Sequence, residues 1–178
     1  MGVTKDPRLR SYAPISRQDL LRLAQLARLD RKEFFAQHPD WAKLYRSRLV
    51  CVALCQGAAL HYVDGRTGIN DFDVYSFYAS HPDRPWYARR LQPFDFGDPR
   101  FGQSQVSKPG FKGRRVDLMG RGLPVAQGTD PVAALRDYLR SPRPGTPSEL
   151  AAKAVVLLEP EQLLGVVVLP LGDAKGAA

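Results

Sequence analysis

The chain predicts an α+β fold built on a mixed or antiparallel central sheet, from three observations. Residues 17–36 carry Leu20, Leu21, Leu23, Ala24, Ala27 and Phe34 at helical spacing. The run LVCVALC at 49–55 is continuously apolar and stops at Gln56-Gly57. Its length and β-branching suit a buried strand. Residues 71–79 and 114–119 read as further strands, the first rich in Phe, Tyr and Val. At 178 residues the chain suits one domain, long enough to bury a core without disulfide or metal staples. Within it we distinguish an N-terminal arm and helices (1–48), a core (49–125), and a C-terminal helix and strands (126–178).

The elements follow in order. Residues 1–14 are polar and basic with two prolines, the composition of a loose arm. Ser16-Arg17-Gln18-Asp19 has the form of a capping box opening the first helix, with Asp in place of Glu. His38-Pro39-Asp40 breaks that helix, and Asp40 is placed to cap a second one running to about residue 46, with Trp41, Leu44 and Tyr45 inward. A short helix at 58–63 is stopped by Asp64-Gly65. Residues 82–110 are rich in Pro, Gly, Arg and aromatic side chains without a clear period, and predict a long ordered excursion. A helix at 131–140 opens with Pro at its first position. Turn formers fill 141–147, helix begins near 149, and strands are expected at 155–158 and 166–169.

The formal charge is +8, which bears on partners and not on fold. Between residues 84 and 121 nine basic side chains meet three acids, Asp95, Asp98 and Asp117, so this stretch supplies most of the excess. Such a balance favours a polyanion or a phosphate-rich substrate, with general solubility as the plain alternative. Cys51 and Cys55 are spaced C-x3-C within an apolar run, which is neither a zinc site nor a redox pair; buried reduced thiols are expected. No apolar stretch has the length of a membrane span and the amino terminus lacks a secretory core. These features predict a cytoplasmic protein.

The chemistry is concentrated at 55–75, CQGAALHYVDGRTGINDFDVY. A glycine turn, Gly57-Ala58, ends the apolar run; after twelve intervening residues (59–70) comes Asp71-Phe72-Asp73-Val74. On a strand, Asp71 and Asp73 share one face and Phe72 and Val74 the other. Two carboxylates on one edge, beside a glycine turn, are a donor set for Mg²⁺ held against a triphosphate.

Together with Val116-Asp117-Leu118 further on, these residues resemble the signature of the nucleotidyltransferase superfamily with the DNA polymerase beta-like core. The resemblance covers roughly residues 49–120. It implies helices on one side of the sheet. It also implies transfer of a nucleoside monophosphate from an NTP to an acceptor, with two Mg²⁺ or Mn²⁺ ions as cofactor. Asp71 and Asp73 would hold both ions, Asp117 the ion on the attacking side, and Gly57 and Ala58 the triphosphate. Arg66 is a further candidate for a phosphate. Lys108, Lys112, Arg114 and Arg115, around Asp117, are candidates for steering RNA such as tRNA; a protein side chain is the second acceptor.

Two positions depart from the pattern: Ala58 stands where many members carry Ser, and Gln56 where an apolar residue is commoner. They leave a second reading open, a catalytically inactive module of the same fold that binds nucleotide or nucleic acid, and a third, a toxin–antitoxin or defence component. Each residue also has a plainer role: Asp71 as a turn residue, Asp117 paired with Arg115 or Arg121, His61 as a packing or capping residue. Asp95-Phe96-Gly97 matches a kinase triplet by chance, with no other kinase motif present, and a nuclease would need a Glu-x-Lys beside its acidic strand.

Overall fold

The computed structural model describes residues 9–86, 93–103, 110–141 and 144–170. Six strands form one sheet in the order β3-β4-β2-β1-β5-β6. They are β1 (Leu49–Cys55), β2 (Phe72–Ala79), β3 (Pro93–Asp95), β4 (Arg115–Leu123), β5 (Val155–Glu159) and β6 (Val167–Leu169). The helices are α1 (Arg17–Gln37), α2 (Pro39–Tyr45), α3 (Gln56–Asp64), α4 (Pro131–Leu139) and α5 (Thr146–Ala151). Among the described strands only β2 and β4 pair in parallel; β1 is antiparallel to β2 and to β5. The α+β class and the mixed sheet are therefore as the sequence predicts. No helix among the described residues is long and apolar enough to cross a membrane.

Strand alternation divides the core into two layers. Val52, Leu54, Phe72, Val74, Val116, Leu118, Val156 and Leu158 face α1 and α3. Cys51, Ala53, Cys55, Tyr75, Phe77, Met119 and Leu157 face the other way, where Ala134, Leu135 and Leu139 of α4 and Leu150 of α5 cover them. Helices thus lie on both faces, not on one. The reason is that β1 is apolar at every position and β5 at all but its last, Glu159, and a strand that is apolar on both faces needs cover on both. Cys51 and Cys55 are buried free thiols inside this second layer.

Local sequence fixes the element ends. The Ser16–Asp19 capping box forms reciprocally: Asp19 N–H donates to Ser16 Oγ (3.3 Å), and Ser16 N–H to Asp19 Oδ2 (2.6 Å). The second helix starts two residues earlier than expected, with His38 at the cap in place of Asp40 and Pro39 at the first position, since proline's fixed φ suits that place. An aromatic cluster of Phe35, Tyr45, Tyr78 and Trp86 closes the far end of the sheet. Gly120 makes room for it, because a Cβ there would fall on the Trp86 indole.

The expected excursion contains β3 and a 3₁₀ turn, Pro99–Phe101. Asp95 anchors it: Oδ1 accepts from Gly97 N–H (2.9 Å) and Gly113 N–H (2.8 Å), and Oδ2 from Lys112 N–H (2.7 Å). Partial burial pushes this carboxyl up, but the three N–H groups and the Lys112 charge outweigh it, so its pKa lies below the usual carboxylate range. A depressed folded-state pKa contributes stability that is present above the unfolded value, about 3.9, and lost as pH falls through the folded one. Asp95→Asn is therefore expected to lower stability at pH 7 and to flatten the acid limb below about pH 4. Chemical denaturation from pH 7 to pH 3 measures this; an unchanged acid limb would contradict it.

Candidate active site

At one end of the sheet β2, β4 and β5 begin and β1 ends. The register makes this concrete: Cys55 lies opposite Asp73 on one side and Val155 on the other, and Asp73 lies beside Asp117. A cavity of about 230 Å³ opens here. Asp71 and Asp73 line it, together with Gln56, Gly57 and Ala58 at the start of α3. Phe72 and Val74 are buried on the opposite face, so the period of two delivers both carboxylates to one place. The strand starts at Phe72, one residue later than expected, with Asp71 just before it.

The turn into α3 has no loop. Cys55 is extended (φ −129°, ψ 176°) and Gln56 is already helical in its hydrogen bonding. The change of direction is absorbed by Gln56, whose φ is +62°, the sole positive φ of a non-glycine residue among the described residues. A left-handed residue beside helical ones turns successive N–H groups to one side, an arrangement that receives anions. The start of a helix adds its positive dipole end. Left-handed geometry costs a side chain roughly 1–2 kcal/mol, and such strain gathers at functional sites. Gln56→Gly is expected to raise stability by about 0.5–1 kcal/mol, after the glycine's own entropy cost. That corresponds to a rise of roughly 1–4 °C in Tm for a chain of this size. A lower Tm would show that the Gln56 side chain contributes contacts worth more than the strain.

Asp117 stands on the same face as Asp73, one strand over, and strands lie about 4.8 Å apart. It is not on the cavity wall. Its Oδ1 accepts from Arg115 Nε at 2.7 Å, an ion pair whose two side chains are 29% and 22% exposed. Among the described residues no group of three His, Cys, Asp or Glu side chains is arranged to hold a metal ion. Asp71 and Asp73 are thus brought together with the turn, while Asp117 is next to Asp73 and held by Arg115. Cys55 is close enough to matter electrostatically: burial, then the Asp73 and Cys51 charges, push its thiol well up and keep it protonated.

The other predicted residues divide. Arg66 is exposed and off the cavity, its N–H donating to Asp64. It serves a tight turn in which Asp64 also accepts from the Thr67 N–H and hydroxyl. Slight burial pushes the Asp64 carboxyl up, and these bonds outweigh it and hold it at about 2. The turn brings Thr67 and Gly68 to the cavity. His61 is buried: its Nδ1 accepts from Gly68 N–H (3.0 Å), so Nε2 carries the proton and donates to Ala13 O (3.0 Å). It is a packing residue.

Arg114 is not a surface cation. It is 3% exposed. Its guanidinium donates to Phe101 O (2.6 Å), Leu9 O (2.7 Å) and Asn70 O (3.3 Å). That removes it from any polyanion-binding face, because its donors are spent on backbone carbonyls in the core. Arg115 is paired with Asp117, and Arg100 with the buried Asp19. Arg121 donates to Gly120 O and Thr146 Oγ1. Lys112 is exposed, and Lys108 lies outside the described residues. Among the described residues of the basic stretch, Arg100, Arg114, Arg115 and Arg121 serve as internal bracing.

Two charged cavity residues were not foreseen. Lys153, two residues before β5, places its ammonium 4.0 Å from where a Cβ on Gly57 would sit. Arg10 reaches the cavity from the N-terminal segment, with Nη1 donating to Thr67 O at 2.9 Å. Residues 9–13 are no loose arm: Ser11 pairs with Ile69 through two backbone bonds (2.9 and 2.7 Å), and Leu9 O and Ala13 O take the Arg114 and His61 bonds. Comparison of the chain with protein-family models, with curated proteins and with solved structures returns no match.

Proposed function

We propose that this cavity transfers a nucleoside monophosphate from an NTP to an acceptor hydroxyl, releasing pyrophosphate. The supporting observation is that Asp71 and Asp73 line one cavity with the Gln56–Ala58 turn. Hard carboxylate oxygens and phosphate-receiving N–H groups face the same space.

The donor set fits a hard divalent cation. Mg²⁺ is commonly held by one or two carboxylates and completes its shell with water and substrate phosphates. Asp71 and Asp73 supply such a pair on the cavity wall. A second ion fits only when Asp117 is released from Arg115. When bound, Mg²⁺ supplies neutralisation of charge for an in-line displacement at the α-phosphorus. The chain's own residues do the rest. The N–H groups of the α3 turn take non-bridging phosphate oxygens. Gly57 lets the backbone approach closely, and Ala58 contributes its N–H without a hydroxyl. Asp117, on the β4 side of Asp73, faces the incoming acceptor. The acceptor oxygen bonds to the α-phosphorus as the bond to the β-phosphate bridging oxygen breaks, and the hydroxyl proton leaves to solvent.

RNA such as tRNA is the first acceptor to test and a protein side chain the second. A cytoplasmic setting supplies NTP and Mg²⁺. The experiment is incubation of the protein with α-labelled NTPs, Mg²⁺ or Mn²⁺, and total RNA or lysate. Label should transfer with wild type and not with Asp71→Ala/Asp73→Ala. No difference between them would sink the reading. The Arg115–Asp117 pair favours a second reading, in which the same cavity binds nucleotide without turning it over. That reading predicts metal-dependent NTP binding with no label transfer.

A further inference from the structure

We propose that Arg10 and Lys153 form a cationic pair that holds the terminal phosphates of a polyphosphate, and that they do so only once a divalent cation occupies Asp71 and Asp73. This rests on reading the cavity as the nucleotide site and names the residues that recognise its triphosphate.

Three observations meet. Arg10 is fixed at the cavity wall by its bond to Thr67 O, and its Nε is shut off from solvent yet makes no hydrogen bond. The residue is half-buried and lines the cavity, and a charged guanidinium makes the stronger, shorter hydrogen bonds to anion oxygens. Lys153 approaches from the opposite chain segment and lies over Gly57 at the positive end of α3. Its side chain is otherwise exposed, and the described ion pairs do not include it.

The charges then set an order. Of the four charged side chains on the cavity wall, Arg10 and Lys153 offset Asp71 and Asp73. The four sum to zero, and although the buried Arg114 guanidinium also acts on Asp71, a bare polyanion in the cavity faces two carboxylates. A divalent cation on the carboxylates leaves Arg10 and Lys153 uncompensated, which favours the phosphates. By linkage, the anion strengthens cation binding by the same factor. Cation and polyphosphate therefore enter as partners, and the N-terminal segment carrying Arg10 completes the site.

The probe is inorganic tripolyphosphate, titrated calorimetrically into the full chain with and without Mg²⁺. Wild type should bind at least tenfold more tightly with Mg²⁺. Lys153→Met, an exposed change that leaves the core alone, should weaken that binding at least tenfold. Arg10→Gln keeps an N–H donor for the Thr67 carbonyl and should do the same, while Arg10→Lys restores part of it. The proposal is overturned if wild type does not bind, if binding ignores Mg²⁺, or if both variants stay within twofold of wild type. Failure here is separable from failure of the functional reading. Label transfer abolished by Asp73→Asn but untouched by Arg10→Gln and Lys153→Met refutes only the cationic pair. Tripolyphosphate binding lost in both variants, with no label transfer by wild type, refutes only the transfer activity.

Discussion

Asp73→Asn is expected to lower nucleotidyl transfer by about 10³-fold or more while leaving the fold intact, a loss of roughly 4 kcal/mol of transition-state stabilisation. The substitution is nearly isosteric, and the strand around it is secured on both sides by β1 and β4. Asp73 is central because it adjoins both the strand end that leads into the α3 turn and the β4 carboxylate. It lies opposite Cys55, the residue before the α3 turn, and beside Asp117. Asp71→Asn should be comparably severe, since a cation held by two carboxylates loses half its protein charge with either. Asp117→Asn should cost less in NTP binding and more in turnover, because Asp117 is off the cavity and paired with Arg115. Steady-state kinetics separate these outcomes: KM for NTP should rise in the first two variants and kcat should fall in the third. Equal effects at all three positions would mean a single rigid triad, contrary to the geometry. Circular dichroism and thermal melting confirm that each variant is folded.

The second large effect is on stability. Arg114→Met should destabilise the chain by about 3 kcal/mol, because three carbonyls lose their donor and those buried without replacement cost about 1–3 kcal/mol each. For a chain of this length that is a fall of roughly 6–12 °C in Tm. The loss should reach the cavity as well. Arg114 ties Leu9, Asn70 and Phe101 to one side chain, and Arg10 and Asp71 are the immediate neighbours of Leu9 and Asn70. Arg114→Lys should not rescue, since a single ammonium lacks the planar fork that reaches three carbonyls. A melt within 2 °C of wild type would show that water replaces the guanidinium at little cost, and would detach the arm from the stability of the core.

What was legible in the sequence is what obeys a local rule. The period of two put Asp71 and Asp73 opposite Phe72 and Val74, and the apolar run found β1. The capping box found the start of α1. The features missed are tertiary. Nothing near Lys153 or Arg10 marks a site; topology alone brings a residue before β5 and one from the N-terminal segment to the end of β1. Arg66 was favoured for its closeness in sequence to Asp71, yet Asp64 turns the chain there and sends the Arg66 side chain outward. Counting charges along residues 84–121 could not reveal that Arg114 is inside, because a guanidinium spent on carbonyls reads in one dimension like any surface cation. The full length of β4, to Leu123, was hidden by Gly120 and Gly122. Both are poor strand formers by propensity, and both are required by close neighbours, Trp86 and Ser80.

The central claim is that the cavity at the end of β1 binds NTP through a divalent cation on Asp71 and Asp73. The most direct measurement is calorimetric titration of NTPs into wild type and Asp73→Asn, with and without Mg²⁺. Binding to wild type only when Mg²⁺ is present, and its loss in Asp73→Asn, is the predicted result. No NTP binding to wild type in Mg²⁺, alongside RNA binding that is independent of metal and falls steeply with salt, would contradict it.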